Sequence, residues 1–247
     1  MSKLRMGVLD KGFVEIVDMM GSDMRVCQAA RVSTGGEASK GDKKDRGLIR
    51  YLMMNEHMTP FEKIVFEFHV KCPIFIARQW MRHRIGSYNE ASGRYKEFEW
   101  ETYVPNEWRK QDEVNKQGSV GGFDEEESEK LNRLNELSLL AAKQVYETNI
   151  FTDVAREQAR IVMPLAQYTE FFWTVNFRSL ANFITLRSDS HAQQEIQDYA
   201  NAIYKILQTV PEIKWSLEIF TEVMQLKQAL SASVETIGIN ATINLLS

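Results

Sequence analysis

The residues from Arg78 to Lys96 carry more charge and hydrogen-bonding capacity than the rest of the chain. The protein has a net charge of −4, yet this segment holds five fixed positive charges and one carboxylate, Glu90. The positive residues are Arg78, Arg82, Arg84, Arg94 and Lys96. Guanidinium groups bind phosphate and the edge of a pyrimidine ring through paired hydrogen bonds. The segment therefore predicts a site for an anionic, polar ligand.

Three further arginines, Arg160, Arg178 and Arg187, lie in otherwise apolar or structured stretches. A buried arginine without a partner is costly, so each one taken singly is expected to pair with a carboxylate. As a group the arginines outnumber the nearby acids, and a bound anion accounts for them better. For Arg78 we keep the expectation of a carboxylate partner. Ser92 could act as a nucleophile, but no base is evident, and we favour a hydroxyl that binds phosphate or a ring.

The sequence lacks the motifs of several common enzyme classes. It contains neither GxGxxG nor GxxxxGK[ST], so the usual dinucleotide fold and the P-loop are not indicated. It lacks HExxH, a cysteine–histidine cluster and a GxSxG elbow, so neither a metal site nor a serine hydrolase is expected. Cys27 and Cys72 both lie in apolar stretches and are predicted to be core residues rather than nucleophiles.

The composition is that of a soluble globular protein. The chain has 247 residues, of which 44% are hydrophobic and 26% charged, a length that fits one large domain or two small ones. No apolar run approaches the roughly 20 residues of a membrane span, and no secretory signal is evident. With two cysteines and no export signal, we expect a cytoplasmic protein. The pI near 5.7 argues against a nucleic-acid partner bound through bulk charge.

Hydrophobic periodicity predicts the elements that position these residues. The predicted strands are 13–17, 64–72, 98–104 and 169–175. The predicted helices are 23–32, 46–55, 131–146, 154–162, 176–187, 191–208 and 212–230. A further helix is expected to begin at Pro73 and fray near Ile85, so that Arg78 and Arg82 share a face. Residues 87–93 should then form an ordered loop.

These elements predict one α+β domain over residues 1–230, with an antiparallel or mixed sheet packed by helices. Residues 106–129 are polar and are expected to be an exposed, partly disordered excursion. Its acidic run, Glu125–Glu127, is interpreted as the start of a helix. The tail 231–247 gives no clear pattern and is expected to be strand or irregular.

The sequence from Arg82 to Tyr95 resembles the signature RHRxxSxNExSxRY of flavin-dependent thymidylate synthases at every specified position. Five more stretches resemble blocks of that family in the same order. They are Ala30–Ser33, His57–Glu62, Ala159–Pro164, Phe172–Phe183 and Leu186–Gln193. Lys63 departs from the pattern, since many relatives carry a histidine there. The excursion looks longer or different, and the tail after about Leu230 has no clear counterpart.

The resemblance implies an enzyme that converts dUMP to dTMP. It implies 5,10-methylenetetrahydrofolate as the carbon donor and NADPH as the reductant of an FAD cofactor. It also implies a homotetramer in which the FAD sites form between subunits. The folate, NADPH and dUMP would then be the partners of the protein, with no membrane and no nucleic acid involved.

The resemblance also implies roles for individual residues. For dUMP these are Gln79, Trp80, Met81, Arg82, Glu90, Ala91, Ser92, Gly93, Arg94, Arg160 and Arg187. For FAD they are Ser33, His57, Thr59, Arg82, His83, Arg84, Ile85, Glu90, Asn176, Phe177, Arg178, Asn182 and His191.

The chemistry of the implied reaction fits these roles. When uracil C6 accepts a hydride or nucleophile, negative charge builds toward O4 and N3, and a fixed guanidinium there stabilises it. We predict that Arg187 is this catalytic group. Arg82, Arg94 and Ser92 would hold the phosphate, and Glu90 would bridge nucleotide and flavin. A reduced flavin can supply the hydride, so an activated cysteine is not required.

Two other functions remain open at this point. The chain could be a catalytically idle protein that binds nucleotides and has kept the scaffold. It could also be a nucleic-acid-binding module that uses the basic segment, although the acidic pI and the lack of a second basic stripe oppose this.

Overall fold

A computed structural model describes residues 4–33, 35–116 and 118–246. The strands are β1 (Leu4–Val8), β2 (Gly12–Met20), β3 (Val65–Pro73), β4 (Ser87–Glu90), β5 (Arg109–Gln111), β6 (Ser119–Gly122) and β7 (Tyr168–Asn176). The helices are α1 (Asp23–Val32), α2 (Asp42–Met54), α3 (Ile74–Trp80), α4 (Glu125–Phe151), α5 (Arg156–Ala159), α6 (Phe177–Arg187), α7 (Gln194–Leu207) and α8 (Lys214–Leu246). Short 3-10 turns cover Thr59–Lys63, Arg160–Val162 and Pro211–Ile213. The predicted α+β class is confirmed.

The chain divides into two compact units. The first contains residues 1–19, 66–175 and 182–206, and the second contains 20–65, 176–181 and 207–247. A five-stranded sheet in the order β1-β2-β3-β7-β4 forms the frame of the first unit. Within it, β1 pairs with β2 and β4 with β7, both antiparallel.

Strand β3 shows why the sheet forms where the sequence predicts it. Its alternating residues Phe66, Phe68, Val70 and Cys72 are all fully buried. Trp80 of α3 packs on Phe171 and Trp173 of β7, with ring centroids 5.5 and 5.4 Å apart. Such aromatic pairs bury large areas and fix the orientation of a short helix on a sheet.

The second unit has its own core, built from α1, α2, the turn at Thr59–Lys63 and α8. Phe61, Phe177 and Phe220 pack together, with Phe177 lying 5.8 Å from one ring and 6.2 Å from the other. Asp23 caps the start of α8 by accepting hydrogen bonds from Trp215 and Ser216. The Ser22 hydroxyl caps α1 by accepting a hydrogen bond from the Arg25 amide.

Four expectations about local structure are wrong. Helix α3 ends at Trp80 instead of fraying near Ile85, so Arg82 lies beyond it and does not share its face with Arg78. Residues 87–93 contain strand β4. Residues 98–104 contribute only an isolated bridge between Thr102 and Gln167. The excursion contains the β5–β6 hairpin and the start of α4.

The remaining expectations concern the ends of two helices. The acidic run does begin a helix, with Asp124 as N-cap and Glu125–Glu127 in the first turn of α4. Negative charge there is stabilised by the helix dipole. The tail expected to be strand or irregular continues α8 through Leu246, and residue 247 lies outside the described residues. Over the described residues, no helix combines the length and apolar character needed to cross a membrane.

Candidate active site

The segment from Arg82 to Tyr95, called the signature segment below, begins where α3 stops. Trp80 is fully buried, whereas Arg82, Arg84 and Ile85, which follow it, are exposed. The Tyr88 hydroxyl lies 2.8 Å from the carbonyl oxygen of His83 and 3.3 Å from that of Trp80. These hydrogen bonds tie the turn after α3 to strand β4.

Strand β4 places the middle of the signature segment against β7. Tyr88 pairs with Trp173 in register and stacks on its ring, with centroids 6.1 Å apart. Gly86 is needed just before the strand. A Cβ at this position would lie 2.8 Å from Nε1 of Trp173 and 3.0 Å from the carbonyl oxygen of Thr174. Only glycine lets the backbone approach this closely.

Glu90 ends β4 with its carboxylate exposed to solvent. Its Oε1 accepts a 2.8 Å hydrogen bond from the hydroxyl of Thr169, a buried residue of β7. Thr169 was not singled out by the sequence, because a threonine in a β-branched strand gives no signal of its own. This hydrogen bond fixes the orientation of the Glu90 carboxylate.

Arg187 ends α6 and is half-buried. Its Nε donates to Nε2 of His83 over 3.0 Å, and its Nη2 donates to the carbonyl oxygen of Gln79 over 3.2 Å. Among the residues that the structure describes, no carboxylate forms an ion pair with it. Burial, followed by the nearby charge of Arg82, lowers the pKa of Arg187 from its usual value.

Gln79 links this arginine to the segment that follows α6. Its side-chain amide donates to Oε1 of Gln193 over 2.5 Å, while its backbone carbonyl accepts from Arg187. Gln193 belongs to a block that resembles the family but was given no role. The pair fixes one end of α3 beside Arg187.

The segment Ala91–Arg94 forms a short turn after β4. The Ala91 amide donates to the carbonyl oxygen of Glu170 over 2.8 Å, and the Arg94 amide donates to the Ser92 hydroxyl over 3.3 Å. Gly93 is buried against Phe98, whose ring would lie 2.0 Å from a Cβ added at this glycine. The turn therefore presents the Arg94 side chain to solvent, while its backbone is fixed.

Four arginines that the resemblance assigns to dUMP or to FAD are exposed. Arg82, Arg84, Arg94 and Arg160 have no carboxylate partner within the described part of the chain. The expectation that an arginine taken singly pairs with a carboxylate is therefore wrong for these four. It is also wrong for Arg78 and Arg187, neither of which forms an ion pair with a carboxylate among the described residues. Their charges remain available for an anion.

The residues of the predicted flavin set that lie in the second unit differ in their surroundings. Arg178 donates to Glu62 over 2.8 Å, so the expected pairing of an arginine with a carboxylate is confirmed at this position. The Oδ1 of Asn176 accepts from the amide of Ser179 at the start of α6. Ser33, His57 and Thr59 are exposed at the surface of this unit.

Two predicted binding residues have side chains that belong to a core. Trp80 is fully buried and Phe177 is 2% exposed. Any ligand contact from either residue must use its backbone. In the first unit, Asn182 and His191 are exposed, and His191 Nδ1 lies 2.7 Å from the Asp189 carboxylate.

The family model described as thymidylate synthase complementing protein matches residues 15–212. The chain belongs to this family. The match includes the signature segment and all five further blocks, so the resemblance predicted from the sequence is confirmed.

Curated relatives agree with this assignment. The chain is 52% identical over 213 residues to a flavin-dependent thymidylate synthase of Thermosipho africanus, covering 86% of this chain and 92% of the relative. It is 47% identical over 213 residues to one of Thermus thermophilus, covering 86% and 77%.

Solved structures agree as well. The chain resembles the UMP/dUMP methylase PolB of Streptomyces cacaoi bound with 5-Br dUMP, with a TM-score of 0.79 and 33% identity. That match covers 88% of this chain and 97% of the other.

Proposed function

We propose that this protein is a flavin-dependent thymidylate synthase that methylates dUMP reductively to dTMP. The carbon comes from 5,10-methylenetetrahydrofolate, and NADPH reduces the FAD. The name shared by the curated relatives supports the activity and the cofactor. The nucleotide bound to the Streptomyces methylase supports the substrate.

The environment of Arg187 is the observation that carries this proposal. Its two hydrogen-bond acceptors, an imidazole and a backbone carbonyl, are uncharged. Its positive charge is therefore directed but not neutralised. A guanidinium held in this way stabilises negative charge that develops at O4 and N3 of a uracil ring during attack at C6.

The phosphate of dUMP would be held by the exposed arginines of the first unit. Arg82, Arg94 and Arg160 supply the charge, and the Ser92 hydroxyl and the amides of the Ala91–Arg94 turn supply neutral donors. Gln79 and Met81 would contact the nucleotide from the end of α3. Glu90, oriented by Thr169, would contact both ligands.

The donors assigned to FAD fit the chemical groups of that cofactor. Arg82 and Arg84 are exposed and free of carboxylates in the described part of the chain, as a pyrophosphate requires. Ser33, Thr59, Asn182 and His191 offer exposed polar groups for the remaining contacts. The flavin, when bound and reduced, supplies the hydride that the side chains of this protein cannot provide.

The cysteines have no part in this reaction. Burial raises the pKa of the Cys27 thiol to about 11 and that of Cys72 well above its usual value. A thiol must ionise to act as a nucleophile, so neither side chain serves that purpose at neutral pH. Both cysteines are free and buried, which suits the cytoplasmic location predicted from the sequence.

We also propose that the synthase domain spans residues 1–230 and assembles as a homotetramer with FAD sites between subunits. Helix α4 supports an assembly because its apolar residues face solvent. Leu134, Leu137 and Leu140 are 58%, 63% and 50% exposed. Exposed apolar stripes of this kind mark contact surfaces.

The decisive experiment measures flavin and product together. The purified protein should show the absorbance of oxidised flavin and should form dTMP from dUMP, methylenetetrahydrofolate and NADPH. A colourless protein that cannot be reconstituted with FAD would contradict the proposal. NADPH oxidation without dTMP would identify an idle binding protein instead.

The role of Arg187 is tested by Arg187→Ala. Loss of one preorganised donor to the developing charge should lower kcat by about 10²–10³-fold. Arg78→Ala is the matched control, because Arg78 is an exposed arginine of α3 without an assigned role. Near-normal turnover in Arg187→Ala, with thermal stability unchanged, would show that another group stabilises the ring.

A further inference from the structure

The hydrogen bond between Arg187 and His83 fixes the protonation state of the histidine. Arg187 Nε lies 3.0 Å from Nε2 of His83. A guanidinium only donates hydrogen bonds, so Nε2 must offer its lone pair. The proton of the neutral ring therefore lies on Nδ1. A protonated imidazole would place two donors face to face.

The imidazole is held firmly in this position. Phe183 contacts it edge to face, with ring centroids 4.9 Å apart at an angle of 69°. The backbone carbonyl of His83 accepts the Tyr88 hydroxyl over 2.8 Å. The ring is thus fixed from α6 on one side, while its backbone is fixed from β4.

Burial and the surrounding positive charges keep His83 neutral. Burial, followed by the charge of Arg187, lowers the pKa of His83 to about 4. Arg82 adds positive charge nearby, since it also lowers the pKa of Arg187. The other contacts, Phe183 and Tyr88, are uncharged at neutral pH.

We propose that His83 is a positioning residue whose neutral ring orients the Arg187 guanidinium for the uracil edge of the bound nucleotide. This role is distinct from the flavin contact that the family resemblance implies for His83. It rests on the proposed function, because it assumes that Arg187 acts on the nucleotide. The Gln79 carbonyl completes the arrangement, so two fixed acceptors set the direction of the guanidinium.

The test compares His83→Ala, which removes the hydrogen-bond acceptor, with His83→Gln and His83→Asn, which each introduce a side-chain amide. In His83→Gln the side-chain carbonyl can reach Arg187 and should restore much of the function. In His83→Asn the same amide is one methylene shorter and should behave like His83→Ala. Misplacing a catalytic group by about 1 Å costs up to about 10²-fold. We expect kcat to fall 10- to 100-fold in His83→Ala, with KM for dUMP changed much less.

A second readout does not depend on turnover. The fluorine NMR shift of bound 5-fluoro-dUMP, followed against pH in the flavin-loaded protein, reports the pKa of its N3–H. A well-directed Arg187 stabilises the N3 anion and lowers this pKa. In His83→Ala the N3 pKa should rise by about one unit, which corresponds to a tenfold loss of that stabilisation. His83→Gln should return it toward the wild-type value.

The outcomes separate the inference from the proposed function. If the wild type forms no dTMP but the N3 pKa still responds to His83→Ala, the proposed function fails and the positioning role stands. If the wild type is active and His83→Ala only binds FAD more weakly, with the N3 pKa unchanged at saturating FAD, the positioning role is overturned. If His83→Ala does not fold, the Gln and Asn pair decides: equal N3 pKa values in the two variants would overturn the inference.

Discussion

The Thr169 hydroxyl donates a 2.8 Å hydrogen bond to Glu90 across the junction of β7 and β4. Thr169 is buried and Glu90 is exposed, so the contact joins a fixed donor to a carboxylate that faces solvent. Only one carboxylate oxygen is used by it. The other remains available for a ligand, which is the arrangement that a bridging residue needs.

Replacing this donor should weaken the nucleotide contact without unfolding the protein. Thr169→Val keeps the shape of the side chain and removes one hydrogen bond worth about 1 kcal/mol, so dUMP affinity should fall about fivefold. Thr174→Val, another threonine of β7, is the control. Calorimetric titration of both variants measures the effect, and equal affinities would contradict a role for Thr169.

The phosphate assignment can be tested with a ligand that lacks phosphate. Arg94→Ala removes a charged donor, which is worth about 1.5–3 kcal/mol, so dUMP should bind about 10- to 100-fold more weakly. Binding of deoxyuridine should not change, because it has no phosphate. Arg78→Ala should alter neither affinity. A parallel loss for deoxyuridine would show that Arg94 acts on the base or sugar.

The neutral state of His83 predicts how stability depends on pH. Its folded pKa is about 4, below the usual 6.5. Between these values the unfolded chain binds a proton that the folded chain does not, so the free energy of unfolding falls as the pH drops. Arg187, the charged group in contact with His83, keeps its proton throughout this range.

Urea unfolding at steps from pH 7 to pH 4 measures this dependence. His83→Gln cannot take up the proton, so its free energy of unfolding should fall less steeply over the same range. Parallel curves for the two proteins would show that His83 titrates normally in the folded state.

The two glycines at 93 and 47 should respond oppositely to alanine. A Cβ at Gly93 would lie 2.0 Å from the Phe98 ring, whereas one at Gly47 meets nothing within 4 Å. Overpacking costs about 1–3 kcal/mol, so Gly93→Ala should lower the melting temperature. Gly47→Ala, inside α2, should raise stability by about 1 kcal/mol. Thermal unfolding of both variants checks the sign of each change.

The cysteines should be dispensable for turnover. In the double variant Cys27→Ala/Cys72→Ala, kcat should stay within about twofold of the wild type. Stability should fall by about 1 kcal/mol per site, because each buried sulfur leaves a small cavity. Native protein treated with iodoacetamide should also keep its activity. Loss of turnover in both experiments would reopen a covalent mechanism.

Much of the frame was predictable because burial leaves periodic patterns. The alternation in β3 predicts which of its side chains are buried, and the acidic run predicts the start of α4. The end of α3 was not predictable, because it depends on where Trp80 meets β7. Strand β4 is polar and lies at the sheet edge, so its pairing with β7 leaves no apolar pattern in its own sequence.

The candidate site divides in the same way. Its arginines were visible from their number and from the signature, which the family match explains. The contacts within the site were not predictable, because they form only in the folded chain. His83 and Gln79 contact Arg187, and Thr169 contacts Glu90. The leucines of α4 follow helical spacing, but spacing alone cannot distinguish a stripe that faces a core from one that faces solvent.

The exposed leucines of α4 imply that the specific activity should depend on the protein concentration in the assay. If Leu134, Leu137 and Leu140 are covered only when subunits associate, dilution uncovers them by mass action. Specific activity should then decline below the dissociation constant of the assembly, and subunits would be mutually stabilising above it. An assay at nanomolar protein and a stability measurement at micromolar protein would thus report on different molecular species.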